Sequence, residues 1–280
     1  LDFLAFDDGT RALELNPVVK IPNPVLGDPV LESQTRLFSQ TMATEQSTNF
    51  LNQNYSLSYG DRINLKKSKA IYGYNVVANY RNTHNFYQDV TYSEFRKVYD
   101  DNGNPVNELD KWRQSTGTQT ENDIIWTSLI GQSFKIKRSK ISLALFHTQN
   151  GKSSAAQLTD VNYEQNPSTM YKQSLQYSQR SVSNANLSGR HLLDTLGKWK
   201  LDWKLSPTYS RIKDPDIRST ALEGRKDSLG NDEFYYSPAV GSEIRRIWRS
   251  LNEYNLGGRL DLSKKYSYTN LIKNTSSDKF

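Results

Sequence analysis

The sequence predicts an all-β chain: an antiparallel up-and-down meander that forms part of a transmembrane β-barrel. Three observations predict it. Hydrophobicity alternates with a period of two in segment after segment, and the connections are alternately short and long. One strand face carries charges of both signs while the other is rich in Tyr, Trp and Leu. Together these are the signature of outer-membrane barrels, whose lumen is wet and whose outer face meets lipid.

Taken in order, residues 51–65 place Leu51, Gln53, Tyr55, Leu57, Tyr59, Asp61, Ile63 and Leu65 on one face. The other face reads Asn52, Asn54, Ser56, Ser58, Gly60, Arg62 and Asn64. Only a strand separates those sets, because successive side chains point to opposite sides. In 71–81, Tyr72, Tyr74, Val76, Ala78 and Tyr80 oppose Gly73, Asn75, Asn79 and Arg81. Residues 124–136 are less clean, with apolar side chains on both faces near the start. Next, Ile141, Leu143 and Leu145 oppose Ser142 and Ala144. The stretch 170–191 is long and polar, with Leu175, Tyr177, Ala185 and Leu187 in phase. Leu201, Trp203, Leu205 and Tyr209 oppose Lys200, Asp202, Lys204 and Ser206. Last, Trp248, Tyr254, Leu256, Leu260 and Leu262 oppose Arg249, Glu253, Asn255, Arg259 and Asp261. That makes about seven strands within 51–280, after a loop region at 1–50.

Short turns are expected at 66–69, 137–140 and 193–198, and long polar excursions at 82–122, 148–169 and 212–243. In a meander, alternate connections share one end of the sheet. All the short ones therefore lie together, as periplasmic turns do, opposite the long extracellular loops. A soluble sandwich, with strands of about five or six residues, fits less well than a barrel needing about 9–11 per crossing. Two residues sit awkwardly. Asp61 falls in the apolar phase and belongs near an interface, and Pro207 should mark a bulge or the membrane boundary.

Composition agrees. The apolar share is 35%, low for a globular core, yet 17 Tyr, 10 Phe and 5 Trp argue against disorder. No run of apolar residues is long enough for a transmembrane helix. No initiator Met or signal-peptide pattern opens the chain, so an internal segment of a longer protein is expected. Absence of Cys removes disulfides and thiolate chemistry. The net charge of +6 does not imply nucleic acid, because the basic residues cluster in short turns rather than along one face.

Catalytic patterns are missing. His84, His147 and His191 are far apart without metal-ligand spacing, and no nucleophile elbow or phosphate loop is present. Neither an enzyme, a metal site nor a cofactor is expected. Asp100-Asp101-Asn102-Gly103-Asn104-Pro105 and Asp227-Ser228-Leu229-Gly230-Asn231-Asp232 have calcium-like oxygens but not the EF-hand register. They read as hairpin tips within long loops, since Gly and Asn tolerate positive φ. The loop at 82–122 is aromatic, and Tyr92, Arg96, Tyr99, Trp112 and Arg113 are its candidates for gripping a solute.

Specific stretches resemble the TonB-dependent outer-membrane receptors. Asp2-Phe3-Leu4-Ala5-Phe6-Asp7-Asp8-Gly9-Thr10-Arg11-Ala12-Leu13 looks like a segment of their first long extracellular loop, where the family often has Gly in place of Ala5 and Pro in place of Glu14. Asn52-Gln53-Asn54-Tyr55-Ser56-Leu57-Ser58-Tyr59-Gly60 resembles the next descending strand. Asp214-Pro215-Asp216-Ile217-Arg218, after Trp203 and Tyr209, looks like the start of a later external loop. The resemblance implies a partial segment, about a third, of a 22-stranded barrel around an N-terminal plug, in the outer membrane of a Gram-negative bacterium. It implies uptake of a scarce siderophore, vitamin or glycan, driven through TonB, with the plug and the TonB-contacting segment outside this chain. A curved open sheet is therefore expected.

On this reading Arg62, Lys200, Asp202, Lys204, Arg249, Glu253, Arg259 and Asp261 face the lumen or plug. The partners would be outer-membrane lipid, the chain's own plug, TonB and a small solute. The rival readings are a passive porin-type barrel and a soluble carbohydrate-binding β protein.

Overall fold

The computed structural model describes residues 2–16, 18–23, 29–49, 51–163 and 168–266. The architecture is one antiparallel sheet. Its strands are β1 Gln53–Leu65, β2 Ala70–Tyr99, β3 Pro105–Ile136, β4 Ser139–Asn162, β5 Ser168–Leu192, β6 Trp199–Lys226, β7 Asp232–Tyr235 and β8 Glu243–Lys264. They follow one another as a meander, except that the four-residue β7 and the long β8 share the same side of β6. Seven long strands thus match the seven expected. Before them lie a 3-10 turn at Asp2–Leu4 and one short helix, α1 Pro29–Thr35. Among the described residues no helix is long and apolar enough to cross a membrane, which says nothing about crossing by strands.

The sheet is open. Among the described residues β1 pairs only with β2 and β8 only with β6, so a backbone edge of each is unpaired.

Turn positions at one end agree with expectation. Leu65 pairs with Ala70 across the turn 66–69, and Ile136 with Ser139 across Lys137 and Arg138. At the other end the expectation is corrected. Residues 82–122, 148–169 and 212–243 are not long loops. Most of their length continues the ladders, giving strands of 30 and 32 residues in β2 and β3. That is about three times what a bilayer crossing requires. Alternation vanished there because polar residues stand on both faces, exposed in 86–99 and hydrogen-bonded or ion-paired elsewhere, so no hydrophobic contrast marked the strands. Only Thr, Tyr, Val and Phe, which suit a pleated surface, signalled them.

The two Asp-x-x-Gly-Asn stretches are hairpin tips. The Asp100 Oδ1 accepts from the backbone N–H of Asn102 and Asn104, and the Asp227 Oδ1 from those of Leu229 and Asn231. Gly103 and Gly230 take φ of +79° and +83°, the left-handed residue that closes a three-residue hairpin loop.

Two further corrections concern β6. Of the two roles expected of Pro207, the bulge is the one not seen: it causes no register shift, faces Leu256 in the ladder, and the Asn184 Nδ2 donates to its carbonyl. The bulge lies instead between Asp214 and Ile217, around Pro215 and a left-handed Asp216 at φ +59°. Hence 214–218 is the middle of a strand, not the start of a loop.

Candidate functional site

The ladder registers assign every strand residue to one of two faces. On the aromatic face, Tyr55, Tyr80, Trp126 and Gln149 stand in one row, and Tyr254, Tyr209, Ser183, His147 and Ser128 in the next. From these rows down to the short turns the face is mainly Leu, Ile, Val, Tyr and Trp, as in Leu201, Trp203, Leu205 and Tyr209 on β6. The band is about nine residues deep on each strand, the length of a tilted bilayer crossing. It is exposed even in the middle of the sheet, with Ile141 at 43% and Leu205 at 42%. A contiguous apolar face of this extent is unusual on a protein surrounded by water.

The opposite face at the same height is mainly small and polar, with most of its charges gathered on β6 and β8. All eight expected lumen residues lie on it, with Asp202 opposite Asp261 and Lys204 opposite Arg259. Each carboxylate is balanced along its own strand: Lys200 pairs with Asp202, and Arg259 Nε with Asp261 at 2.6 Å. Arg190 of β5 reaches Asp202 at 2.8 Å. Glu253 accepts from the Asn255 Nδ2. Arg249 binds Asp214, whose side chain is 4% exposed, so its charge is already committed at the bulge.

The five hairpin candidates lie on the paired strands β2 and β3. Arg113 makes a two-pronged contact to Asp160, which also receives Lys172 at 2.7 Å and the Ser115 hydroxyl. Asp160 is 2% exposed. Burial pushes its pKa up, but the Arg113, Lys172 and Ser115 hydrogen bonds outweigh that and hold it down at about 2. Arg113 is thus a brace, and its buried partner Asp160 is 47 residues away, invisible to local pattern. Arg96 pairs with Asp110, and the Tyr92 hydroxyl donates to Gln119 Oε1. Trp112 gives its carbonyl to Tyr163 N–H, and Tyr99 is exposed beside the hairpin tip. Tyr92 also lines an open crevice of about 480 Å³ with Tyr87, Asp89, Val90, Gln119 and Glu121.

The largest surprise is the N-terminal segment. Residues 2–11 form a strap across the aromatic face, just above the apolar band, and successive strands each bind it with one side chain. The Tyr80 hydroxyl of β2 donates to the Phe3 carbonyl, the Trp126 indole of β3 to Leu4 and the Gln149 amide of β4 to Ala5. Gln179 of β5 accepts from the Asp7 N–H, Lys213 of β6 pairs with the Asp7 carboxylate, and the Trp248 indole of β8 donates to the Arg11 carbonyl. The Arg11 guanidinium lies 4.4 Å from the Tyr177 ring centre. Ala5 is fully buried at φ +62°, a conformation that favours Gly. A Cβ on Gly151 would fall 2.7 Å from the Ala5 Cα, so the strand leaves room for the strap by omitting one.

Further along, Arg246 binds both Asp216 and Glu14 and donates to the Ser39 carbonyl, while Arg218 binds Asp216 and the Thr41 carbonyl. Asp216 and Glu14 are both held below their ordinary pKa; burial opposes this, and the arginines and, for Glu14, the Ser39 N–H overcome it. Beside this cluster an apolar crevice of about 840 Å³ opens between Leu15, Val19, Phe38 and Met42 and the Ile244 and Trp248 of β8. No family model, no curated protein and no solved structure matches the chain.

Sequence reading missed the strap contacts and the bulge cluster. The sole local signal was the run of polar and aromatic residues in 2–13, whose partners come from six separate strands.

Proposed function

We propose that this chain is part of the wall of an outer-membrane β-barrel of the TonB-dependent receptor type, taking up a scarce solute such as an iron chelate, a vitamin or a glycan. One observation carries the proposal. A register-matched, mainly apolar band of bilayer depth runs along one face of the long strands, while the face behind it is polar and, on β6 and β8, charged. Lipid satisfies the first face and a wet lumen the second. The long hairpins then stand outside the bilayer as the surface that meets solute, and the charged wall lines its route inward. The likeness of residues 2–13 and 52–60 to that receptor family supports the choice of barrel type. The left-handed Ala5, where the family often has Gly, is in keeping with it.

The absence of Cys makes the test simple. Leu256→Cys on the aromatic face and Lys204→Cys on the charged face are each labelled with a polarity-sensitive dye after folding into vesicles. The Leu256 site should report hydrocarbon and the Lys204 site water. Equal water access at both would sink the membrane reading. In cells making the parent protein, uptake that persists after loss of the energy-transducing complex would point to a passive porin instead.

A further inference from the structure

The cations of this chain are unevenly placed and unevenly used. Segments 61–73, 132–143, 189–204 and 259–265 form the short-turn end, and they hold fifteen Lys and Arg against four Asp. Set against 36 and 30 in the whole chain, this end has a surplus of eleven positive charges and the remainder a deficit of five. In the long-hairpin half many cations close on carboxylates, as Arg11, Arg81, Lys152 and Lys213 do. At the turns, by contrast, Lys66, Lys67, Lys69, Lys137 and Arg138 are exposed and form no ion pair among the described residues.

Their position is as telling as their number. Lys66 follows Leu65 and Lys69 precedes Ala70, the last ladder pair of β1 and β2, while Lys137 and Arg138 join the last pair of β3 and β4. They therefore sit immediately below the lower edge of the apolar band, where Leu65, Ile63 and Phe134 are exposed. At the same rim Lys264 lies 4.6 Å from the Trp199 ring centre. Like charges crowded into short turns repel, and nothing within the sheet neutralises them. A polyanion in solution would be met equally well by cations anywhere on the surface. A charged leaflet is met only by cations at the end of an apolar band, beside interfacial aromatics.

We infer that the short-turn rim is a docking surface for anionic phospholipid headgroups, whose phosphates lie against the turn 66–69 and the Lys137-Arg138 turn. The inference rests on the membrane reading above and adds a sidedness to it: the leaflet nearest the short turns is the one recognised.

The full chain is folded into vesicles of phosphatidylcholine, and into the same vesicles carrying phosphatidylglycerol, and association is read by flotation. At low salt the anionic vesicles should capture the chain about tenfold more readily, a preference that high salt removes. The variant K66Q/K67Q/K69Q/K137Q/R138Q should lose most of that preference while still floating with both vesicles. R225Q/K226Q, at the opposite end, should keep it. Equal flotation with both vesicles would leave the membrane reading standing and overturn the rim. No flotation with either would overturn both. Capture of soluble polyglutamate without any vesicle preference would assign the rim to an acidic polypeptide, and that too overturns the inference.

Discussion

The two halves of the sheet use charge and apolar surface in opposite ways. In the long-hairpin half, charged groups meet inside the sheet: Asp160 with Arg113 and Lys172, Asp216 with Arg218 and Arg246, Asp7 with Lys213. The strap closes over the aromatic face there, burying Ala5 and Ile124. In the short-turn half, apolar side chains stay exposed, and among the described residues the turn cations Lys66, Lys67, Lys69, Lys137 and Arg138 make no ion pair. One half satisfies itself and the other asks for a second medium. The difference teaches that a single continuous set of strands can be finished by its own chain along part of its length and by its surroundings along the rest.

The largest expected break falls on the self-sufficient half. Asp160→Asn leaves Arg113 and Lys172 without their shared counter-charge and should destabilise the hairpins by about 3 kcal/mol, read by denaturant unfolding of β3–β5. Gly151→Ala comes next. The new Cβ meets the Ala5 backbone and the Tyr177 hydroxyl at 2.7 Å, and overpacking of this kind costs roughly 1–3 kcal/mol. The strap should lift, and protease cleavage within residues 2–16 should accelerate while the apolar band is unaffected. Unchanged cleavage would show that the strap is held elsewhere.

Acid sharpens the same contrast. Because the folded pKa of Asp160, about 2, lies below its ordinary 3.8, its stabilisation is complete above about pH 4 and lost as pH falls through 2. The amount is about 2 kcal/mol. Hydrogen exchange should therefore quicken in β3–β5 across that window in the parent and not in Asp160→Asn. The smallest effect is at the hairpin tips. Gly103→Ala meets nothing within 4 Å, so only its left-handed backbone is penalised, by about 1 kcal/mol.

Much of the fold was legible residue by residue. Tyr72 through Tyr80 and Leu201 through Tyr209 alternate cleanly because one face of each strand is apolar and the other wet. The turns at 66–69 and at Lys137 and Arg138 stand where two alternating runs meet. Residues 86–99 and 105–122 were illegible as strands for the converse reason: with polar residues on both faces, period two carries no contrast. Of the candidate site, the eight residues proposed for the lumen lie on one face of the sheet, because parity is a local property. Among the hairpin candidates, the ion pair of Arg113 could not be read locally, because its aspartate lies 47 residues away.

By itself, then, the sequence determined the strand direction of the chain, the placing of its turns and the division of its residues into two faces. These follow from a side-chain period of two, which needs no knowledge of neighbours. Only the tertiary structure decided that the hairpins are ladders to their tips, that β6 bulges at Asp216 rather than at Pro207, and that residues 2–11 lie across six strands. Those outcomes depend on which backbone groups find partners far along the chain, and pairing of that kind leaves no periodic trace in the residues that make it.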